Sequence, residues 1–263
     1  VDGNVFMDFG SGIAVSVMGH TQKDVVKAVQ DQAAELIHAN SCDYLTIPQV
    51  EYAERFVKLC PGDFEKRAFF SNSGAECIEC GIKVAKYNTQ RAGSIAFLGA
   101  FHGRFMGSLA LTTNSPVSRR RYISSMMPSV AFAPYAYCYR CPFKQEYPGC
   151  NLECLQYLED NVLNRVIPPE DCAFMIIEPI QGAGGFIIPP KEFLQGVQDI
   201  CRENDILLMV DEVQTAFGKT GYFLASEYFG IEPDILCVSK AIAAGLPMGI
   251  TVTRAELMDW ELN

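Results

Sequence analysis

Asp211 and Lys240 each follow a run of buried-strand residues, 206–210 before the aspartate and 235–239 before the lysine. Such runs place both side chains on one rim of a sheet. In an open α/β sheet, ligands bind at the rim beyond the carboxyl ends of the strands. A lysine there can form an imine with an aldehyde, and an aspartate can keep a pyridinium nitrogen protonated. Taken singly, the two residues also fit a helix cap and a surface lysine. Their neighbours decide between these readings.

Residues Ser71-Asn72-Ser73-Gly74-Ala75-Glu76 follow an apolar run and open a helical pattern. Free backbone N–H groups and the helix dipole at such a turn suit a phosphate, and Gly74 allows close backbone approach. Phe101-His102-Gly103-Arg104 follows another strand. Its aromatic ring can stack on a planar group, and Arg104 can grip a carboxylate with two parallel hydrogen bonds. His102 reads as a hydrogen-bonded structural histidine rather than a catalytic one. Glu178, ahead of the glycine run 182–185, adds a carboxylate at a further strand end. With Gln214 near Asp211, polar groups from several strand ends converge on one crevice, which capping alone does not explain. An imine-forming lysine, a ring-nitrogen aspartate and a phosphate turn together meet the needs of pyridoxal phosphate.

The elements that must position these residues are visible as apolar runs at 67–71, 94–98, 129–133, 173–177, 206–210, 235–238 and 250–253. Several lack polar alternation, as strands buried on both faces do. Helical patterns cover 75–92, 152–166 and 190–204, and two more, 21–38 and 48–59, precede the first strand. The alternation predicts an α/β fold, a mostly parallel sheet with helices on both faces. Residues 1–60 read as an amino-terminal segment with helices, and 61–263 as one large domain. Residues 134–151, rich in Pro, Tyr and Cys, read as an ordered excursion from the sheet.

A net charge of −10 over 263 residues disfavours nucleic acid and anionic lipid as partners. The Arg119-Arg120-Arg121 triplet reads as a solvated face. No apolar stretch is long enough to span a bilayer, and residues 1–4 lack signal-peptide character. Eleven cysteines scattered through apparent core elements fit a reducing, cytoplasmic setting better than a disulfide framework. The chain starts without methionine and stops where a helix opens at Ala255, so a piece of a longer protein is expected.

The set Ser73-Gly74-Ala75, Phe101-His102-Gly103-Arg104, Glu178-Pro179, Asp211-Glu212-Val213-Gln214-Thr215 and Ser239-Lys240-Ala241-Ile242 closely resembles the class III pyridoxal-phosphate aminotransferases. Asp8-Phe9 through Gly19-His20 is similar to that family's amino-terminal motif. The resemblance implies a fold type I transferase whose large domain is present and whose small carboxyl-terminal domain lies outside the chain. It implies that Lys240 carries the Schiff base and shuttles a proton, that Asp211 pairs with the pyridine nitrogen, and that Gln214 bonds the phenolic oxygen. Val213 and Phe101 would sandwich the ring, and Ser73, Gly74 and Ala75 would hold the phosphate. His102 and Glu178 would lie beside the cofactor, and Arg104 would anchor a substrate carboxylate. The implied partners are an amino donor, an oxo-acid acceptor and a second subunit, because family sites borrow a phosphate-contacting loop from their neighbour.

Substrate choice is less constrained. Many members that use 2-oxoglutarate have a glutamate where Ala183 stands, and alanine resembles ω-amino acid:pyruvate members instead. The expected reaction moves an amino group from an ω-amino acid such as 4-aminobutyrate to a 2-oxo acid. A racemase or decarboxylase on the same fold is the alternative, and a binding module without chemistry would have lost the lysine, the aspartate or the phosphate turn.

One further pattern stands outside the resemblance. Cys138, Cys141, Cys150 and Cys154 form C-x2-C-x8-C-x3-C. Four thiolates so spaced can complete a tetrahedral zinc or iron–sulfur site. Reduced packing cysteines or a local disulfide fit the spacing too, so no metal is the expectation and these four are the candidate ligands. Cys77 and Cys80, on the phosphate-site helix, read as packing residues.

Overall fold

In the computed structural model, residues 2–41 and 43–260 are described. The seven apolar runs form β1 (Lys66–Ser71), β2 (Gly93–Phe97), β3 (Val130–Ala133), β4 (Cys172–Ile177), β5 (Leu207–Asp211), β6 (Ile235–Val238) and β7 (Gly249–Arg254). They make one sheet in the order β1-β7-β6-β5-β4-β2-β3. Strand β7 runs antiparallel to both its neighbours, while the pairs from β6 through β3 are parallel. The sheet is therefore mostly parallel, as the strand–helix alternation predicts. Strand β5 begins one residue later than its apolar run and takes in Asp211 as its last residue, paired with Cys237 of β6. The sheet ladder itself fixes the backbone of that aspartate.

Period-two alternation divides each central strand between two cores. Met175 and Ile177 of β4, with Leu208 and Val210 of β5, pack under Phe193, Leu194 and Val197 of the helix Lys191–Glu203. Phe174, Ile176 and Met209 face the other way, against Cys77, Ile78 and Ile82 of the helix Gly74–Thr89. That second helix starts where the Ser73 hydroxyl accepts from Glu76 N–H, while the Glu76 carboxylate reaches back to Asn72 N–H. The pair is a reciprocal cap. It ends short of residue 92 because Gln90 turns left-handed, at φ +57°. Arg91 then ties the chain to the Cys172 and Asp205 carbonyls.

The single helix expected over 152–166 is divided. An α-helical turn, Glu153–Tyr157, passes into a π-helical stretch, Leu158–Leu163. The wider turn lets Leu158, Val162 and Leu163 all reach the core, which 3.6-residue spacing does not. Ahead of β1, the helix Lys23–Glu35 buries none of its side chains, and Ile47–Leu59 buries Phe56. The opening at Ala255 is a short 3-10 turn, Ala255–Met258, and residues 261–263 lie outside the described residues. Among the described residues, no helix is long and apolar enough to cross a membrane.

Candidate active site

Strands β1, β5 and β6 bring their ends together at the phosphate-type turn. A Cβ on Gly74 would stand 2.9 and 3.0 Å from the two Val213 methyl carbons and 3.4 Å from the Ser239 Cβ. Only glycine fits there, and the contact joins the Ser73–Ala75 turn to the residues beside Asp211 and Lys240. With Glu76 N–H taken by the Ser73 hydroxyl, the N–H groups of Gly74 and Ala75 are those the helix supplies with no internal acceptor beside this junction.

Asp211 is almost fully buried, and both its oxygens are engaged. Oδ1 accepts from Val213 N–H at 3.0 Å, and Oδ2 meets His102 Nδ1 at 2.8 Å. The ionised carboxylate can only accept, so the imidazole donates through Nδ1–H. His102 is itself buried, and among the described residues its Nε2 has no hydrogen-bond partner. Its backbone N–H donates to Thr112 Oγ1 at 2.9 Å, which fixes the ring's approach. His102 therefore touches Asp211 through one ring nitrogen and the loop through its backbone.

Glu178 ties two loops to the same rim. Its Oε1 accepts from Phe101 N–H at 2.8 Å and its Oε2 from Gly182 N–H at 3.0 Å. Burial raises its pKa, the nearby Asp211 charge adds to the rise, and His102 and the two N–H bonds oppose it. A buried Tyr135 hydroxyl donates to the carbonyls of Glu178 and Pro179, at 2.9 and 3.0 Å. Beyond Glu178 the glycine run closes on itself through the Gln181–Ile187 bridge, leaving Ala183 exposed. Gln214 rests directly on Gly182, where a Cβ would collide with its Oε1.

Lys240 adopts φ +51°, a left-handed backbone that costs a non-glycine residue on the order of 1 kcal/mol. Ser239 anchors the preceding position by donating from Oγ to the Met248 carbonyl at 2.7 Å. The lysine pKa is lowered from its usual 10.5, first by burial, then by the Lys219 charge, with Asp211 and Glu178 opposing. Both carboxylates therefore act electrostatically on this amine. Arg104 differs from the rest. It is exposed on the loop after Gly103.

Two contributors were not singled out from the sequence. Tyr135 lies in the excursion, where nothing in the local pattern marks it. Glu212 is fully buried and accepts from Thr215 Oγ1, Ala225 N–H, Ser226 N–H and Ser226 Oγ at 2.7–2.8 Å. It ties the loop after Asp211 to the helix Ala225–Phe229. The doublet of acids after an apolar strand was the available signal. Glu212→Ala should lower stability by about 3–5 kcal/mol, because it strands several buried donors at once. Thermal melting of the full-length protein checks this, and a melting point within a degree or two of the parent would exclude it.

One rim of the sheet thus carries a buried lysine with a lowered pKa, a hydrogen-bonded aspartate and a helix start of the kind that suits an anion. Residues 1–261 match the class III aminotransferase family. The chain is 38% identical over 260 residues to a probable 4-aminobutyrate aminotransferase of Bacillus subtilis, covering 98% of this chain and 59% of that protein. It is 40% identical over 262 residues to a 4-aminobutyrate aminotransferase of Mycobacterium leprae, covering 98% and 58%. Among solved structures, an amine transaminase from an uncultivated Pseudomonas species, in its PLP-bound form, superposes with a TM-score of 0.87 at 28% identity, covering 96% of this chain and 58% of that one. The chain belongs to the class III aminotransferase family, and it spans about three-fifths of the length of these curated relatives.

Proposed function

We propose that the protein is a pyridoxal-phosphate-dependent aminotransferase that moves an amino group from an ω-amino acid such as 4-aminobutyrate to a 2-oxo acid. The junction of Gly74, Val213 and Ser239 carries the reading, because it unites a phosphate turn, a ring-facing strand end and a lysine. Two observations support the cofactor. The Gly74 turn packs directly on Val213 and Ser239, beside Asp211 and Lys240, and among the described residues His102 Nε2 is a buried polar atom without a hydrogen-bond partner.

Bound there, pyridoxal phosphate supplies an aldehyde that captures amines and a cationic ring that takes up electrons from the substrate carbon. Ser73 and the N–H groups of Gly74 and Ala75 would hold the phosphate. Asp211, steadied by His102 and Val213 N–H, would keep a proton on the ring nitrogen. Val213 and Phe101 would flank the ring, with Phe101 placed by its bond to Glu178. Gln214 would donate to the phenolic oxygen. A lysine whose pKa is pulled down by burial is suited to accepting and returning a proton near neutral pH, the work assigned to Lys240. Arg104 would hold a substrate carboxylate, and a second subunit would complete each site.

Assay of the full-length protein with 4-aminobutyrate and either pyruvate or 2-oxoglutarate tests the reaction. Racemisation of an amino acid without any oxo acid, in place of amino transfer, would overturn it. Acceptor choice is tied to Ala183, which lies exposed on the turn closed by Gln181 and Ile187. With no carboxylate there, pyruvate is expected to give the higher kcat/KM, and Ala183→Glu to shift preference toward 2-oxoglutarate. One ion pair in a partly buried site is worth about 1–3 kcal/mol, a roughly ten- to hundredfold change. A parent enzyme that already favours 2-oxoglutarate about tenfold would separate acceptor choice from position 183.

A further inference from the structure

Among the described residues, no three His, Cys, Asp or Glu side chains are placed to hold a metal, and Cys138, Cys141, Cys150 and Cys154 are free thiols. More is built into the loop that leaves β2. It carries Phe101, His102 and Arg104 and ends in the helix Met106–Leu111, after which Thr112 and Thr113 turn back onto it. Thr113 holds the start of the loop. Its Oγ1 accepts from Gly99 N–H at 2.9 Å and donates to the Phe97 carbonyl at 3.1 Å, and its own N–H donates to the Ala100 carbonyl at 2.8 Å. Thr112, fully buried, holds the end. Its Oγ1 accepts from His102 N–H at 2.9 Å, and its one proton faces the carbonyls of Gly103 and Ser108, both at 3.0 Å.

The peptide so held lies between the two halves of the crevice. On one side, the His102 ring meets Asp211 Oδ2 at 2.8 Å. On the other, Gly103 takes φ +129°, and a Cβ there would stand 3.0 Å from the Ala75 Cβ of the phosphate-type turn and 2.7 Å from Ser108 Oγ. Among the described residues the imidazole has no other polar anchor, since Nδ1 is engaged by Asp211 and Nε2 has no partner. Its placement is therefore set through its backbone, and the backbone through Thr112. A threonine at a helix end ordinarily bonds back to the carbonyl four residues earlier, here Ser108. The bonds to His102 and Gly103, ten and nine residues away, exceed that local habit.

We propose that Thr112 is a positioning residue for the amino-transfer reaction: through His102 it sets the angle at which the Asp211 carboxylate meets the ring nitrogen, which rests on the functional reading above, where Asp211 faces that nitrogen. Removing the hydroxyl strands the buried His102 N–H, so the loop has to shift to find another acceptor. The imidazole moves with it. Asp211 keeps its second bond, from Val213 N–H to Oδ1, so the carboxylate is loosened rather than freed. The effect should accordingly be smaller than that of deleting the imidazole.

The test uses full-length protein carrying nitrogen-15 histidine, with and without pyridoxal phosphate. In the cofactor-free parent, nuclear magnetic resonance should show a slowly exchanging proton on His102 Nδ1, identified by its absence from His102→Gln. Thr112→Val keeps the shape and should shift or broaden that signal, and Thr112→Ser keeps the hydroxyl and should restore it. In the loaded protein the amine half-reaction should slow about tenfold in Thr112→Val and stay within about twofold of the parent in Thr112→Ser. Because Thr112 acts through His102, the two changes should not add: in a His102→Ala background, Thr112→Val should cost less than about twofold more. Thr253→Val removes another buried hydroxyl, bonded to the Arg254 carbonyl at the far end of β7, and should leave signal and rate as in the parent. If Thr112→Val does not fold, Thr112→Cys, a weaker hydrogen-bond partner, takes its place. An unchanged His102 signal and rate in the Thr112 variant, full additivity with His102→Ala, or an equal loss in Thr253→Val would each overturn the assignment. A parent without the family's cofactor absorbance would instead sink the functional reading, and the cofactor-free histidine spectra would still decide whether Thr112 places His102.

Discussion

Lys240→Ala is expected to leave pyridoxal phosphate bound while turnover falls by about 10⁴-fold or more, because one substitution removes the proposed nucleophile and the proposed proton carrier together. The phosphate turn, the Asp211–His102 pair and the Glu178 bonds all lie on other segments, so binding should outlast the lost amine. Borohydride treatment of the parent followed by peptide mapping should place a pyridoxyl group on Lys240, and a label on any other lysine would sink the assignment. The amine should also titrate below its usual 10.5, since burial disfavours its charged form. A lowered pKa means more neutral amine at a given pH. Reductive methylation of Lys240 in the cofactor-free protein should therefore reach half-maximal rate at lower pH than for an exposed lysine.

Asp211→Asn preserves shape and removes charge, and the amine half-reaction should slow by roughly 10²-fold or more, the scale of a lost electrostatic contact at a reacting centre. The same change takes away a negative charge that holds the Lys240 pKa up, so the lysine should titrate lower still. The two effects have opposite consequences for amine availability and for ring chemistry. Single-turnover kinetics and the methylation profile separate them. Half-reaction rates within a few-fold of the parent would mean that the ring nitrogen has another partner. His102→Ala should reproduce part of the loss, since it deletes a charge-assisted hydrogen bond worth about 1.5–3 kcal/mol in positioning Asp211.

Much of the candidate site is legible in the sequence. Glu178 and Asp211 close uninterrupted apolar runs and Lys240 follows one after Ser239, and such runs become central strands because both faces of a parallel sheet are covered. Ser73 and Glu76 announce the helix start through the reciprocal cap that the structure contains. Boundaries were softer. Asp211 joined its strand because the ladder to Cys237 extends one residue past the apolar run. The pattern over 152–166 concealed a π-helical segment, since hydrophobic periodicity cannot register one extra residue in a turn.

What the sequence determined by itself was the inventory: which residues end strands, which turn suits a phosphate, and which lysine and aspartate share a rim. Those depend on local pattern, and local pattern is carried by neighbours in the chain. Only the tertiary structure decided the partners. His102 meets Asp211, Gly74 meets Val213 and Ser239, and Tyr135 reaches the Glu178 carbonyl across long stretches of sequence. The strand order β6-β5-β4-β2 sets those meetings, and it follows from packing helices on both faces of the sheet. The depressed lysine belongs to the same level, because desolvation is a property of the assembled crevice and not of any one segment.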